Sequence, residues 1–145
     1  MNQFDGIHVL LSSRCSAIDY EHVQQVSKLA TTDAQHATAL LHDFVEDAYG
    51  TWDEVEAILG GLAESCLPAL RLLTRGPEPY EEYIQRIADS GNRLAMSVKA
   101  LDLIDHLSPN RWHTLKPEKI DRYISAFRII TIAGQAISTL EPSNR

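Results

Sequence analysis

The stretch TALLHDFVED, Thr38 to Asp47, sets His42, Asp43, Glu46 and Asp47 directly behind the apolar run Ala39, Leu40, Leu41. Imidazoles and carboxylates are rarely buried unless they pair with one another or hold a metal. On a helix the neighbours His42 and Asp43 diverge by roughly 100° about the axis, yet both reach an ion lodged between helices. Glu46 then falls one turn beyond His42 and Asp47 one turn beyond Asp43, forming an acidic shelf beside the pair. Like charges this close raise one another's pKa values unless a cation compensates. The candidates for further ligands are His22, upstream, and Asp102 in VKALDLIDHL. A set of two histidines and two aspartates suits Mn²⁺, Fe²⁺ or Zn²⁺, with positions left for water or a phosphate oxygen. A solvated acidic helix face accounts for HDFVED equally well, and periodicity alone does not separate the two.

The elements that must position these groups read as helices throughout. Apolar residues recur at helical spacing and no stretch alternates as a strand, which makes the chain all-α. Asp19 is the expected cap of a helix over Tyr20 to Leu29, with Val23, Val26 and Leu29 on its apolar face. Asp33 is the expected cap of a second helix, running to about Ala48 and containing His42 to Asp47. Thr51 and Glu54 form a capping-box pattern, and Gly60-Gly61 supplies a left-handed helix end. Leu62 to Thr74 reads as helical around Pro68, which is placed near a helix start rather than inside one. Beyond the turn Gly76-Pro77-Glu78-Pro79 come YEEYIQRIA, a helix from Asn92 to Leu107 with Leu94, Val98, Leu101 and Ile104 on one face, and a last helix from about Pro117 to Leu140. The core candidates of that last helix are Ile120, Tyr123, Phe127, Ile130 and Ile132.

Composition narrows the class. At 145 residues, with 44% hydrophobic and 23% charged, the chain is expected to form one folded domain, 1–145. The net charge of -7 argues against a nucleic-acid binder, which needs a basic surface to displace counterions from phosphates. It leaves room for a small phosphorylated ligand held by a divalent cation and a few local basic groups. Cys15 and Cys66 fit no zinc or redox spacing and read as reduced thiols. Without an apolar run of membrane-spanning length or a signal-peptide pattern, the expectation is a cytoplasmic protein with no membrane partner.

ALLHDFVED resembles the HD-x-x-E-D signature of HD-superfamily alarmone hydrolases, the hydrolase domain of the RelA/SpoT group and its small stand-alone relatives. Other segments follow in the same order. His22 stands where the family's first metal histidine precedes the HD pair. LTRGPEPYEEYIQRIA is similar to the threonine-arginine turn and tyrosine-rich helix, VKALDLIDHL to the segment bearing the last metal aspartate, and DRYISAF to the closing helix. The resemblance covers residues 20 to 130 or so. It implies a single HD-type helical bundle with a metal site between helices, in which His22, His42, Asp43 and Asp102 bind one divalent ion, most often Mn²⁺. It implies that Glu46 and Asp47 orient or deprotonate the attacking water. The reaction it implies is cleavage of the 3′-diphosphate of guanosine tetra- or pentaphosphate, releasing pyrophosphate.

Substrate contacts follow from the same likeness. Arg14 stands where relatives carry a basic residue that contacts substrate, although SSRCSAIDYEH lacks the family's glycine-rich approach. Thr74 and Arg75 are placed to bond ribose or phosphate, Arg75 through its planar fork. Lys99 approaches phosphate or pairs with Asp102 or Asp43. His106 departs from the asparagine that relatives carry there; it reads as a pocket-wall residue that changes nucleotide preference or assists chemistry, with a fifth metal ligand beside Asp102, at i, i+4, as the alternative. His36, Trp52 and Trp112 read as structural, and Tyr80 and Tyr83 as packing residues. The alternatives to an alarmone hydrolase are another HD-type nucleotidase or a degenerate HD protein that binds nucleotide without turnover.

Overall fold

Side-chain caps mark where the helices begin. In the computed structural model, which describes residues 2–112 and 114–140, α1 spans Asp5–Arg14, and α2, Ala17–Lys28, follows. The cap of α2 is Ser16 rather than Asp19: the extended Ser16 turns its Oγ back to accept the Asp19 N–H at 3.1 Å, so Asp19 sits inside the first turn. The helix α3, Asp33–Leu41, starts one residue earlier than expected for the same reason, Thr32 Oγ1 accepting the Gln35 N–H at 3.1 Å. The capping box at Thr51 forms as the sequence predicts and opens α4, Trp52–Leu59, with Gly60 at φ +54° ending it. A short 3₁₀ turn, Gly60–Leu62, leads into α5, Ala63–Leu73.

Pro68 lies inside α5 and not at its start. An interior proline forfeits a backbone hydrogen bond and costs roughly 3 kcal/mol. Burial offsets that loss: Cys66, Ala69, Leu70 and Leu73 are all 2% exposed or less, on a helix that packs against α3. Each such leucine contributes about 1.5–3 kcal/mol.

The helices gather into two compact units, Met1–Gly76 and Pro77–Arg145. In the first, α2 lies along α3, α5 packs against α3 and α4, and α1 touches α2, α3 and α4. Ile7, Leu11, Val26, Leu40, Leu41 and Phe44 fill its core.

The second unit holds α6, Tyr80–Asp89, α7, Arg93–His106, the short α8, Pro109–Trp112, and α9, Pro117–Leu140. α9 packs along both α6 and α7. Here the buried faces differ from the apolar periodicity. On α7 burial runs through Ala95, Met96, Val98, Lys99, Asp102 and Leu103, while Ile104 is 43% exposed. On α9 Ala126 and Ile130 are buried, whereas Ile132 is 60% exposed. The cause on α7 is the Lys99–Asp102 ion pair, which lets two charged residues take inward positions. Among the described residues the chain is all-helical, and no helix is long and apolar enough to cross a membrane.

Candidate metal centre

His22, His42 and Asp43 come together in the first unit, with ligand atoms all within 4.8 Å of one another. His22 is a buried residue of α2 and His42 the C-cap of α3; both are almost fully covered, while the Asp43 side chain is 30% exposed. The His42 Nδ1 lies 2.6 Å from the Ala39 carbonyl. A carbonyl only accepts, so Nδ1 carries a proton; in the neutral ring Nε2 then keeps its lone pair, the tautomer a ligand needs. Nε2 lies 3.2 Å from Asp43 Oδ2, and His22 Nε2 lies 3.6 Å from the same oxygen. Ligands about 2.1 Å from a common ion stand roughly 3.0–3.5 Å apart, so the His42–Asp43 separation suits a divalent cation as it stands and the His22–Asp43 one lies just beyond that range.

The helix itself stops just short of His42 and Asp43. The expected helix through Ala48 ends at Leu41. From His42 onward the chain forms successive turns: the Phe44 N–H donates to Leu41 O at 3.1 Å, Asp47 N–H to Asp43 O at 2.9 Å, Ala48 N–H to Val45 O at 3.1 Å, and Tyr49 N–H to Phe44 O at 3.0 Å. In a continued helix Asp43 would point roughly 100° from His42. His42 keeps helical dihedrals, φ -63° and ψ -25°, and its Nε2 lies close to the carboxylate of the next residue. Ala48 takes φ +62°, a left-handed conformation uncommon for a residue with a Cβ. Gly50 closes the loop against the buried Phe44, whose ring edge occupies the space that a Cβ at Gly50 would need.

Glu46 and Asp47 ride on these turns and not on a helical shelf. Glu46 Oε1 accepts the Arg75 N–H at 2.6 Å, tying the loop to the residue after Thr74. Burial, followed by the charges of Asp43, Asp19 and Glu46, pushes the Asp47 carboxyl up to about 6. A carboxyl poised there exchanges a proton close to neutral pH. The same acidic surroundings reach Cys15, whose thiol is raised to about 11, first by burial and then by Asp19, Asp47 and Asp43. Such a thiol is protonated and unreactive at neutral pH.

The remaining expected residues have definite places. Arg14 forms an ion pair with Glu54 at 2.5 Å and donates to the Tyr49 carbonyl at 3.1 Å. Thr74 caps the end of α5, its Oγ1 donating to Leu70 O at 2.8 Å. Asp102, Lys99 and His106 belong to the second unit. There the buried Lys99 Nζ meets Asp102 Oδ2 at 2.8 Å, and His106 Nε2 lies 3.3 Å from Asp102 Oδ1. Burial works to lower the Lys99 pKa, but Asp102, Tyr83 and Tyr80 outweigh it and hold the ammonium well above its ordinary value. The His106 ring stacks on Tyr123 at 5.0 Å. His36 sits apart against Phe4, with ring centroids 4.3 Å apart.

Tyr49 is the site residue that spacing did not reveal. Its hydroxyl donates to Asp19 Oδ2 at 2.6 Å, a tertiary contact with no local signature; only the adjacent Gly50, a turn residue behind an acidic run, marked the place. No known family model matches the chain, and no curated protein proved similar to it.

Proposed function

We propose that the protein is a metal-dependent phosphohydrolase of a phosphorylated nucleotide, with guanosine 3′,5′-bis(diphosphate) as the leading substrate. The observation that carries this reading is the convergence of His22, His42 and Asp43 on one point, with Glu46 and Asp47 on the same loop. Asp102 is the further ligand, on the strength of the HD-type sequence resemblance. Mn²⁺ is the proposed ion, with Fe²⁺ or Zn²⁺ compatible with the same mixed donors. The bound ion supplies a lowered pKa for water and neutralises charge on the phosphate.

The chain's own groups do the rest. The Ala39 carbonyl fixes the His42 tautomer and so aims its Nε2. Glu46 accepts the proton of the attacking water while its Oε1 stays anchored to the Arg75 N–H. Asp47, with its raised pKa, holds or releases a proton beside it. Thr74, Arg75, Lys99 and His106 are the proposed substrate contacts. Arg14, engaged by Glu54, reaches substrate only by leaving that pair.

The test is to load the purified protein with Mn²⁺, offer a nucleotide panel, and follow pyrophosphate and orthophosphate. Pyrophosphate from guanosine tetraphosphate supports the reading. Orthophosphate from monophosphates assigns the chain to a different nucleotidase activity, and metal binding without turnover assigns it a binding role. Failure to bind Mn²⁺, Fe²⁺ or Zn²⁺ overturns the metal reading itself.

A further inference from the structure

We infer that Tyr49 is a positioning residue for the metal site, a strut that sets the distance between the helix bearing His22 and the loop bearing Asp43. The inference rests on the metal-binding reading of His22, His42 and Asp43. Tyr49 ends the run of turns that begins at His42, and every polar atom it carries is engaged. Its hydroxyl donates to Asp19 Oδ2 at 2.6 Å and accepts the Ser16 N–H at 3.2 Å. Its N–H donates to Phe44 O at 3.0 Å, and its carbonyl accepts Arg14 Nη1 at 3.1 Å. Arg14 is itself fixed by Glu54.

The placement of these partners gives the strut its purpose. Asp19 lies on α2 one turn before His22, so the Tyr49 hydroxyl grips the helix beside one ligand. The other end of Tyr49 is the backbone of the loop that carries Asp43. His22 Nε2 and Asp43 Oδ2, 3.6 Å apart, are thus linked through a rigid ring and a charge-assisted O–H···O⁻ bond, the short, strong class of hydrogen bond. The left-handed Ala48 immediately before Tyr49 reverses the chain so that the phenol turns back to α2. Polar groups that orient metal ligands typically alter affinity by roughly 10–100-fold when removed, without touching the ion.

Titration with Mn²⁺ by calorimetry, and with Co²⁺ by visible absorption, tests this on the full chain. Tyr49→Phe keeps the ring and deletes only the hydroxyl. The expected result is a Kd for Mn²⁺ weaker by roughly tenfold or more, with an altered Co²⁺ spectrum and an unchanged circular dichroism spectrum. Asp19→Ala is expected to match it, and Asp19→Asn, whose amide oxygen still accepts the phenol hydrogen, to recover most of the affinity. Wild-type affinity and a wild-type Co²⁺ spectrum in Tyr49→Phe overturn the strut. An Asp19→Asn variant as weak as Asp19→Ala also overturns it, assigning the effect to the Asp19 charge. If the wild-type chain itself binds neither ion, the metal reading fails and the strut with it, an outcome distinct from a defect confined to the variants.

Discussion

His42 Nε2 lies 3.2 Å from Asp43 Oδ2, although the residues are neighbours in the chain. The regular helix α3 ends at Leu41, immediately before this pair, while His42 still keeps helical dihedrals. Asp43→Ala removes the oxygen that faces both imidazoles. In the wild-type chain, metal at a hundredfold excess over Kd is expected to add about 2.7 kcal/mol of stability, or roughly 5–10 °C in Tm. Asp43→Ala is expected to show no such rise, as measured by thermal melts with Mn²⁺ and with EDTA. An equal rise in the variant would exclude Asp43 as a ligand.

Gly50 is held against Phe44. A Cβ there would collide with the edge of the ring, and the ring, 2% exposed, has nowhere to retreat without moving core neighbours. Gly50→Ala is therefore expected to cost about 1–3 kcal/mol, the usual scale of overpacking. Because Phe44 directly follows Asp43, weaker metal binding should accompany the loss. Urea melts of the metal-free chain measure the first effect, and Mn²⁺ titration the second.

Glu46 anchors the Arg75 N–H, and on the proposed reading it also accepts the proton of the attacking water. Glu46→Gln keeps an acceptor oxygen for the 2.6 Å bond and loses only the base. The expected outcome is retained metal, unchanged Tm and turnover lower by about two orders of magnitude. Full activity in this variant would remove Glu46 from the chemistry, whereas a fall in Tm would show the anchor to be the larger role.

Asp47 gives a pH signature. Its folded pKa is raised to about 6, first by partial burial and then by Asp43, Asp19 and Glu46, so the folded state holds a proton that the unfolded chain releases near 4. The protonated carboxyl costs nothing below pH 4; a penalty develops between about 4 and 6 and is complete above 6. Asp47→Asn should thus stabilise the metal-free chain above pH 6 and leave it unchanged below 4. The group is largely exposed, so the gain is modest. Chemical denaturation in EDTA at pH 4 and pH 8 compares the two limits; a gain of equal size at both would rule out an electrostatic origin.

Much of this was legible in residue types. Thr51 and Glu54 announce their capping box, and His42 and Asp43 announce two members of the donor cluster, because both signals are local. The stop at Leu41 was not legible: nothing in TALLHDFVED breaks a helix. That stop coincides with the His42–Ala39 bond, the burial of Phe44 and the closeness of Gly50 to its ring, all properties of the folded loop. Helix starts slipped for a smaller reason, since Ser16 and Thr32 stand close enough to Asp19 and Asp33 for either to cap. On α7 apolar periodicity pointed to Leu94, Val98, Leu101 and Ile104, of which Val98 alone is buried, because it scores lysine and aspartate as outward residues. It has no means of seeing that Lys99 and Asp102 go inward as a pair.

That pair yields the last prediction. Lys99 Nζ and Asp102 Oδ2 are 2.8 Å apart with side chains 10% and 4% exposed, and His106 approaches the other Asp102 oxygen at 3.3 Å. Removing one partner of a buried pair leaves the other charge without its counterion and typically costs about 3–5 kcal/mol. Replacing both by apolar residues removes that penalty. Lys99→Met is expected to destabilise the chain on that scale at pH 7, and Lys99→Met with Asp102→Leu to recover most of the loss. The interaction energy comes from the double-mutant cycle in urea melts. A double variant no more stable than Lys99→Met would show that the stranded Asp102 charge is not the source of the loss.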